Sequence, residues 1–151
     1  MNGDRYFVDS NVILYRYDEL SPAKRDLAKL WLSWLWENKR GVVSWQVLQE
    51  FYWNALRKFR VPPALARHRV ELMSEWHPPQ VTMGLLTRAW HWTDNSQVSF
   101  WDGLILAAAE QTQCRFLLSE DFQAGRKFDS VTVVNPFETS PPAPANNGRP
   151  A

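Results

Sequence analysis

The chain has 151 residues, of which 45% are hydrophobic and 22% charged, and its formal net charge is +1. This composition is typical of one globular domain with a sizeable core, and its charge neither requires nor excludes a polyanionic partner. The single cysteine, Cys114, excludes an intramolecular disulfide and a cysteine-based zinc cluster and fits a reducing cytosol. Because no long apolar run occurs, we expect neither a secretion signal nor a membrane helix.

The first strand and its end are the most informative part of the chain. Residues Tyr6–Val8 run into Asp9 without alternating polar residues, which is typical of a strand covered on both faces and predicts a strand over 4–9. Ser10 and Asn11 follow with side chains that can cap a helix. Asp9 is therefore either a ligand-binding or catalytic group at a strand end, or only a helix cap.

The remaining elements alternate between helices and strands. Caps, prolines and apolar spacing predict helices over residues 21–40, 45–59, 63–76, 85–92 and 99–110. Further strands are predicted at 41–44, 80–83, 115–119 and 131–134, with a loop at 93–96. We interpret residues 1–137 as one domain and the proline-rich segment 138–151 as a disordered tail.

This alternation predicts an α/β fold with a central parallel sheet and right-handed crossovers. In a strand order of about 3-2-1-4-5, the first and fourth strands are neighbours. Asp9, at the end of the first strand, would then lie close to Asp121, which follows the fourth.

Four acids stand where an acid is costly or has no local explanation: Asp9, Glu50, Asp102 and Asp121. Each has a simpler interpretation, since Asp9 and Asp102 can cap helices, Glu50 can pair with Arg57, and Asp121 can be a turn residue. A cluster of four carboxylates would instead repel itself and need a divalent cation. Carboxylates favour Mg²⁺ or Mn²⁺, and no His or Cys cluster indicates zinc.

Five ordered stretches together resemble the PIN-domain family, and most closely the VapC-type toxins of bacterial toxin–antitoxin pairs. They are Val8–Val12, Val47–Phe51, Ser99–Ile105, Leu117–Phe122 and Val134–Phe137. The resemblance implies a three-layer α/β/α domain over nearly the whole predicted domain. Gly103 stands where the family pattern has alanine, which costs a helix about 1 kcal/mol but removes no ligand.

The resemblance also implies a metal-dependent endoribonuclease. The four acids Asp9, Glu50, Asp102 and Asp121 match its catalytic positions, where they would hold Mg²⁺ or Mn²⁺. Asn11 and Ser119 match its supporting polar positions, and Glu120 is an alternative to Asp121 as the fourth acid.

The partners implied by the resemblance are an RNA substrate, a second copy in a homodimer, and an antitoxin that blocks the acidic groove, all in the cytoplasm. Nine tryptophans cannot all be enclosed in one small core, so we expect Trp34 and Trp36, or Trp90 and Trp92, to contact a partner. Seven basic residues form either the rim of an RNA groove or ordinary solvated helix faces: Lys24, Arg25, Arg57, Lys58, Arg60, Arg67 and Arg69.

Two other functions stay open on the sequence. The chain is alternatively a PIN-fold nuclease of RNA processing that has no antitoxin, or a non-catalytic RNA- or protein-binding module on the same fold. The presence of all four acids favours an enzyme over the binding module.

Overall fold

The computed structural model describes residues 3–142, which form a five-stranded sheet and six helices. The strands are β1 (Tyr6–Val8), β2 (Gly41–Val42), β3 (Phe116–Leu118), β4 (Lys127–Phe128) and β5 (Val131–Val134). The helices are α1 (Ser10–Tyr15), α2 (Pro22–Asn38), α3 (Trp45–Lys58), α4 (Pro63–Met73), α5 (Met83–Ser96) and α6 (Phe100–Gln111).

The sheet has the order β2-β1-β3-β5-β4, and only β4 runs antiparallel to its neighbour. The four parallel strands lie in the order predicted from the sequence. The antiparallel edge strand β4 was not predicted, because two residues are too few to carry a strand pattern.

The predictions of a strand at 80–83 and a loop at 93–96 are wrong. Thr82 is an extended residue that caps α5, and its Oγ1 accepts a hydrogen bond from the Leu85 N–H at 3.3 Å. An extended cap preceded by apolar residues has the same sequence pattern as a short strand. At the other end, Thr93 Oγ1 donates to the Ala89 carbonyl, so its polar side chain stays bonded to the helix instead of ending it.

The sheet is the middle of three layers. All three residues of β1 are buried, so both of its faces are covered. The helices form two groups: α1 packs against α2 and α3, and α3 packs against α4, whereas α5 packs against α6, which contacts β3 and β5. Cys114 belongs to the core, and burial raises the pKa of its thiol to about 11.

The tryptophans divide between the core and the surface. Trp92 is only 4% exposed, so the prediction that it contacts a partner is wrong. Trp34 is half-buried, with its ring 5.6 Å from that of Tyr6. Trp36 and Trp90 are exposed, at 42% and 48%.

The chain beyond β5 remains attached to α2. Trp31 Nε1 donates to the carbonyl oxygens of Pro136 at 3.0 Å and Thr139 at 2.8 Å. The domain end at residue 137 stays a prediction, and most of the predicted tail, residues 143–151, lies outside the described part of the chain. Within residues 3–142, no helix combines the length and the apolar character that a membrane crossing requires.

Candidate metal and active site

The parallel pairing of β1 with β3 brings Asp9 and Ser119 together. Val8 lies opposite Leu118 in the register, and the Asp9 N–H donates to the Leu118 carbonyl at 3.0 Å. Asp9 and Ser119, which directly follow these two residues, therefore lie at the same edge of the sheet. Ser119 Oγ donates to Asp9 Oδ2 at 2.7 Å. Asp9 thus lies at the carboxyl end of a central strand, where open α/β sheets bind ligands.

Asp9 is both a helix cap and a member of a carboxylate group. Its Oδ1 accepts from the Ser10 N–H at 2.8 Å, so Asp9 caps α1, in place of Ser10 or Asn11. Its Oδ2 also accepts from Asn11 Nδ2 at 3.4 Å. Burial raises the pKa of Asp9 from 3.8 to about 7; the hydrogen bonds from Ser119 and Ser10 oppose this rise, and the charges of Asp121 and Glu50 add to it.

Glu50 reaches the same site from α3. Its Oε2 accepts from Ser10 Oγ at 3.1 Å, and its Oε1 accepts from Gln46 Nε2 at 2.9 Å. The alternative in which Glu50 pairs with Arg57 is wrong, because the Arg57 guanidinium lies over the Trp53 ring at 5.2 Å. Neither Ser10 nor Gln46 was predicted as a contact of the site, although Gln46 stands one helical turn before Glu50.

Asp102 enters from the first turn of α6. Ser99 caps this helix as predicted, accepting from the Asp102 N–H at 3.1 Å. Burial raises the pKa of Asp102, the Ser99 hydrogen bond opposes the rise, and the charges of Asp121 and Glu50 add to it. Gly103 is explained by the close approach of α5, since a Cβ at this position would lie 2.7 Å from the Ala89 carbonyl oxygen.

The neighbours Glu120 and Asp121 have different partners. Asp121 Oδ2 accepts from Asn11 Nδ2 at 3.1 Å, and the Asp121 N–H donates to Ser119 Oγ at 3.1 Å. Glu120 instead pairs with Lys24, whose Nζ lies 2.8 Å from Glu120 Oε2. Asp121 therefore shares the hydrogen-bond network of Asp9, and Glu120 lies in a separate ion pair.

We call Asp9, Glu50, Asp102 and Asp121 the acid cluster. Within residues 3–142, no member of the acid cluster forms an ion pair with a lysine, arginine or histidine. The charges of Glu50 and Asp121 raise the pKa values of both Asp9 and Asp102, which is the electrostatic effect expected of carboxylates that share one site without a counterion.

The chemistry of this site fits a hydrated Mg²⁺ or Mn²⁺ ion. Mg²⁺ takes oxygen ligands and keeps several water molecules, so it needs only one or two direct carboxylate contacts. In the described part of the chain, no three His, Cys, Asp or Glu side chains form a ready-made metal-binding group. The buried Asn11 Oδ1 has no hydrogen-bond partner within residues 3–142, and water on a cation could donate to it.

Comparison with known proteins identifies the family. Among the solved structures that match is the Mycobacterium tuberculosis toxin VapC20, with a TM-score of 0.60 and 23% sequence identity over 77% of this chain and 91% of VapC20. It is described as a toxin that cleaves the sarcin–ricin loop. No curated protein sequence matches. The model of the PIN domain matches residues 6–129, which is most of the chain. The chain belongs to the PIN-domain family.

Proposed function

We propose that the protein is a Mg²⁺- or Mn²⁺-dependent endoribonuclease and the toxin of a toxin–antitoxin pair. The observation that carries the proposal is the acid cluster, in which the charges of Glu50 and Asp121 reach both Asp9 and Asp102 and no counterion lies within residues 3–142. Membership of the PIN-domain family and a fold shared with the toxin VapC20 support this reaction class.

The side chains have distinct roles in the proposed reaction. Asp9, Glu50, Asp102 and Asp121 would hold the cation. When bound, a divalent cation lowers the pKa of a water molecule and neutralises charge on a phosphodiester. Ser119 and Asn11 orient Asp9 and Asp121, and Ser10 orients Glu50, through the hydrogen bonds described above. These donors are neutral and therefore cancel none of the negative charge that an ionised carboxylate offers to a cation.

The RNA would approach along the basic residues of α3 and the turn that follows it. Arg57, Lys58 and Arg60 are exposed, and none forms an ion pair within the described residues. Lys24 and Arg25 contribute less, because acidic side chains already neutralise them. Phosphate contacts of this kind make binding weaken steeply as salt rises.

We also propose that the protein forms a homodimer and binds an antitoxin. We place it in the cytoplasm, which contains the RNA and keeps a cysteine such as Cys114 reduced. Trp36 and Trp90 are the candidate contacts, because exposed tryptophans are costly in water and enriched at interfaces. Sedimentation of Trp36→Ala and Trp90→Ala tests this, since one of the two should shift the dimer towards monomer. Unchanged sedimentation of both variants would count against these contacts.

The first experiment measures cleavage of a fluorescent single-stranded RNA and of a sarcin–ricin loop oligonucleotide. The purified chain is tested with Mg²⁺, with Mn²⁺ and with EDTA, beside Asp9→Asn. Asp129→Asn is the matched control, because Asp129 is an exposed aspartate that pairs with Arg88, outside the acid cluster. We expect metal-dependent cleavage by the wild type and the control but not by Asp9→Asn. Absence of both cleavage and metal binding in the wild type would leave only a binding module on a PIN fold.

A further inference from the structure

Gln46 links two helices that carry members of the acid cluster. It lies in the first turn of α3 and is partly exposed. Its Nε2 donates to Glu50 Oε1 at 2.9 Å and to the Trp101 carbonyl at 3.2 Å. No other hydrogen bond joins α3 to α6 in the described residues.

The hydrogen bond from Gln46 to the Trp101 carbonyl reaches the chain segment that carries Asp102. Trp101 immediately precedes Asp102 in the first turn of α6. The main chain that carries Asp102 is therefore tied, through one amide group, to the carboxylate of Glu50. A side chain with a single donor group that reaches both sites couples the position of Glu50 to that of Asp102.

The chemical type of the donor also fits this role. Glu50 receives one hydrogen bond on each oxygen, from Ser10 and from Gln46, and both donors are neutral. A lysine or arginine at position 46 would orient Glu50 equally well but would neutralise it, as Lys24 does for Glu120. An amide restricts the orientation of the carboxylate and leaves its charge available to a cation.

From these contacts we infer that Gln46 is a positioning residue, which sets Glu50 against Asp102 for binding of a divalent cation. The inference rests on the proposed function, since it concerns the same metal site. Residues that orient metal ligands in this way typically change metal affinity or activity by about 10–100-fold when they are replaced.

The test measures Mn²⁺ binding to the purified full chain by calorimetry, without RNA. Gln46→Leu keeps the size of the side chain and removes the donor. Gln49→Leu is the matched control, because Gln49 is an exposed glutamine on the same helix that makes no side-chain hydrogen bond within residues 3–142. We expect Mn²⁺ affinity to fall about tenfold in Gln46→Leu and to stay unchanged in Gln49→Leu. If Gln46→Leu does not fold, Gln46→Ala takes its place.

Two further measurements separate positioning from a general structural role. In a Glu50→Gln background, Gln46→Leu should have a much smaller effect on Mn²⁺ affinity than in the wild type, because Gln46 acts through Glu50. Excess Mn²⁺ should also restore RNA cleavage by Gln46→Leu, which it would not do if Gln46 contacted the RNA. An equal loss of affinity in both backgrounds overturns the inference.

The outcomes keep this inference apart from the proposed function. If the wild type binds Mn²⁺ and cleaves RNA, and Gln46→Leu does both equally well, only the role of Gln46 is refuted. If the wild type binds no Mn²⁺, the metal-dependent nuclease and the positioning role fail together.

Discussion

Two groups of acidic side chains in this protein are built in opposite ways. In the first, Arg88 binds Glu110 through two nitrogens at 2.9–3.1 Å and reaches Asp129 Oδ2 at 2.6 Å. Trp92 Nε1 also donates to Glu110. We call Arg88, Glu110 and Asp129 the paired group. In the second, the acid cluster, the donors to the carboxylates are hydroxyl, amide and backbone N–H groups.

The two groups distinguish acids that are paired with a cation of the chain from acids whose charge is left unpaired. In the paired group the cation is part of the chain, so Arg88 offsets part of the negative charge of Glu110 and Asp129 within the protein. In the acid cluster the orienting groups are neutral, so the carboxylates are held in place while their repulsion persists. Protonation or an external cation would relieve this repulsion, and perturbed pKa values of this kind are common at functional sites.

Replacing Asp9 should reduce RNA cleavage more than any other single change proposed for this protein. Groups that only orient a metal ligand affect metal affinity or activity by about 10–100-fold, so we expect Asp9→Asn to lower RNA cleavage by at least about 100-fold. The fold should persist, because asparagine keeps the side-chain oxygen that caps α1. Cleavage rates at saturating Mn²⁺, beside urea unfolding curves, check both points. Cleavage retained by a folded Asp9→Asn variant would show that the acid cluster is not the active site.

The stability of the metal-free protein should depend on pH through Asp9. The folded pKa of Asp9 is about 7, above its ordinary value of 3.8, so folding favours the neutral form. The contribution of the Asp9 carboxyl group to the free energy of unfolding is therefore fully present below about pH 4 and is lost as the pH rises through about 7. The shift corresponds to a loss on the order of 4 kcal/mol at most.

Urea unfolding of the metal-free protein across this pH range measures the effect. We expect the difference in the free energy of unfolding between Asp9→Asn and the wild type to grow in favour of the variant as pH rises. Saturating Mn²⁺ should reverse this trend for the wild type, because the cation binds the ionised carboxylates. A difference that does not change with pH would mean that Asp9 ionises in the folded protein as easily as in water.

Removing the cation of the paired group should lower the free energy of unfolding, whereas Asp9→Asn should raise it in the metal-free protein at neutral pH. Arg88→Met leaves Glu110, whose side chain is 18% exposed, without its cation. Removing one partner of a fully buried pair costs about 3–5 kcal/mol, and the partial exposure of this one reduces the expected loss to about 1–3 kcal/mol. Urea unfolding measures that loss, and Arg88→Met combined with Glu110→Gln should recover part of it.

RNA cleavage is the second readout for Arg88→Met. Measured below the unfolding transition, it should be unchanged, because within residues 3–142 no hydrogen bond or ion pair joins the paired group to the acid cluster. A variant that keeps its stability but loses cleavage would show that the two groups are not functionally separate.

Local patterns in the sequence predicted most of the parallel sheet and singled out the four acids Asp9, Glu50, Asp102 and Asp121. The apolar run into Asp9 and the Ser99 cap of α6 are determined by neighbouring residues, and both were predicted. The extended cap at Thr82 was mistaken for a strand, because the few residues before a helix have no period of their own. Gln46 was not found, because one of its two partners, Trp101, lies on another helix and only tertiary packing brings it near.

The turn at Glu120 and Asp121 was ambiguous for a related physical reason. Two adjacent acids after a strand have the same sequence context, and only the direction of the turn decides which one contacts Asn11. The structure gives that contact to Asp121 and gives Lys24 to Glu120. The roles of these acids in catalysis are still predictions, and they can be separated by one pair of variants.

Glu120→Gln should have the smallest effect of the set. The Lys24–Glu120 pair is partly exposed, and such pairs contribute about 0–1 kcal/mol to the free energy of unfolding. Lys24 also lies over the ring of Tyr15 at 4.7 Å and donates to its hydroxyl, so these contacts should keep it in place when the charge of Glu120 is removed. Cleavage by Glu120→Gln should therefore stay close to that of the wild type, whereas Asp121→Asn should lose cleavage and bind Mn²⁺ more weakly. If the two variants were equally impaired, an acid with its own cation would be as necessary as one without, and the division between paired and unpaired acids would not identify the active site.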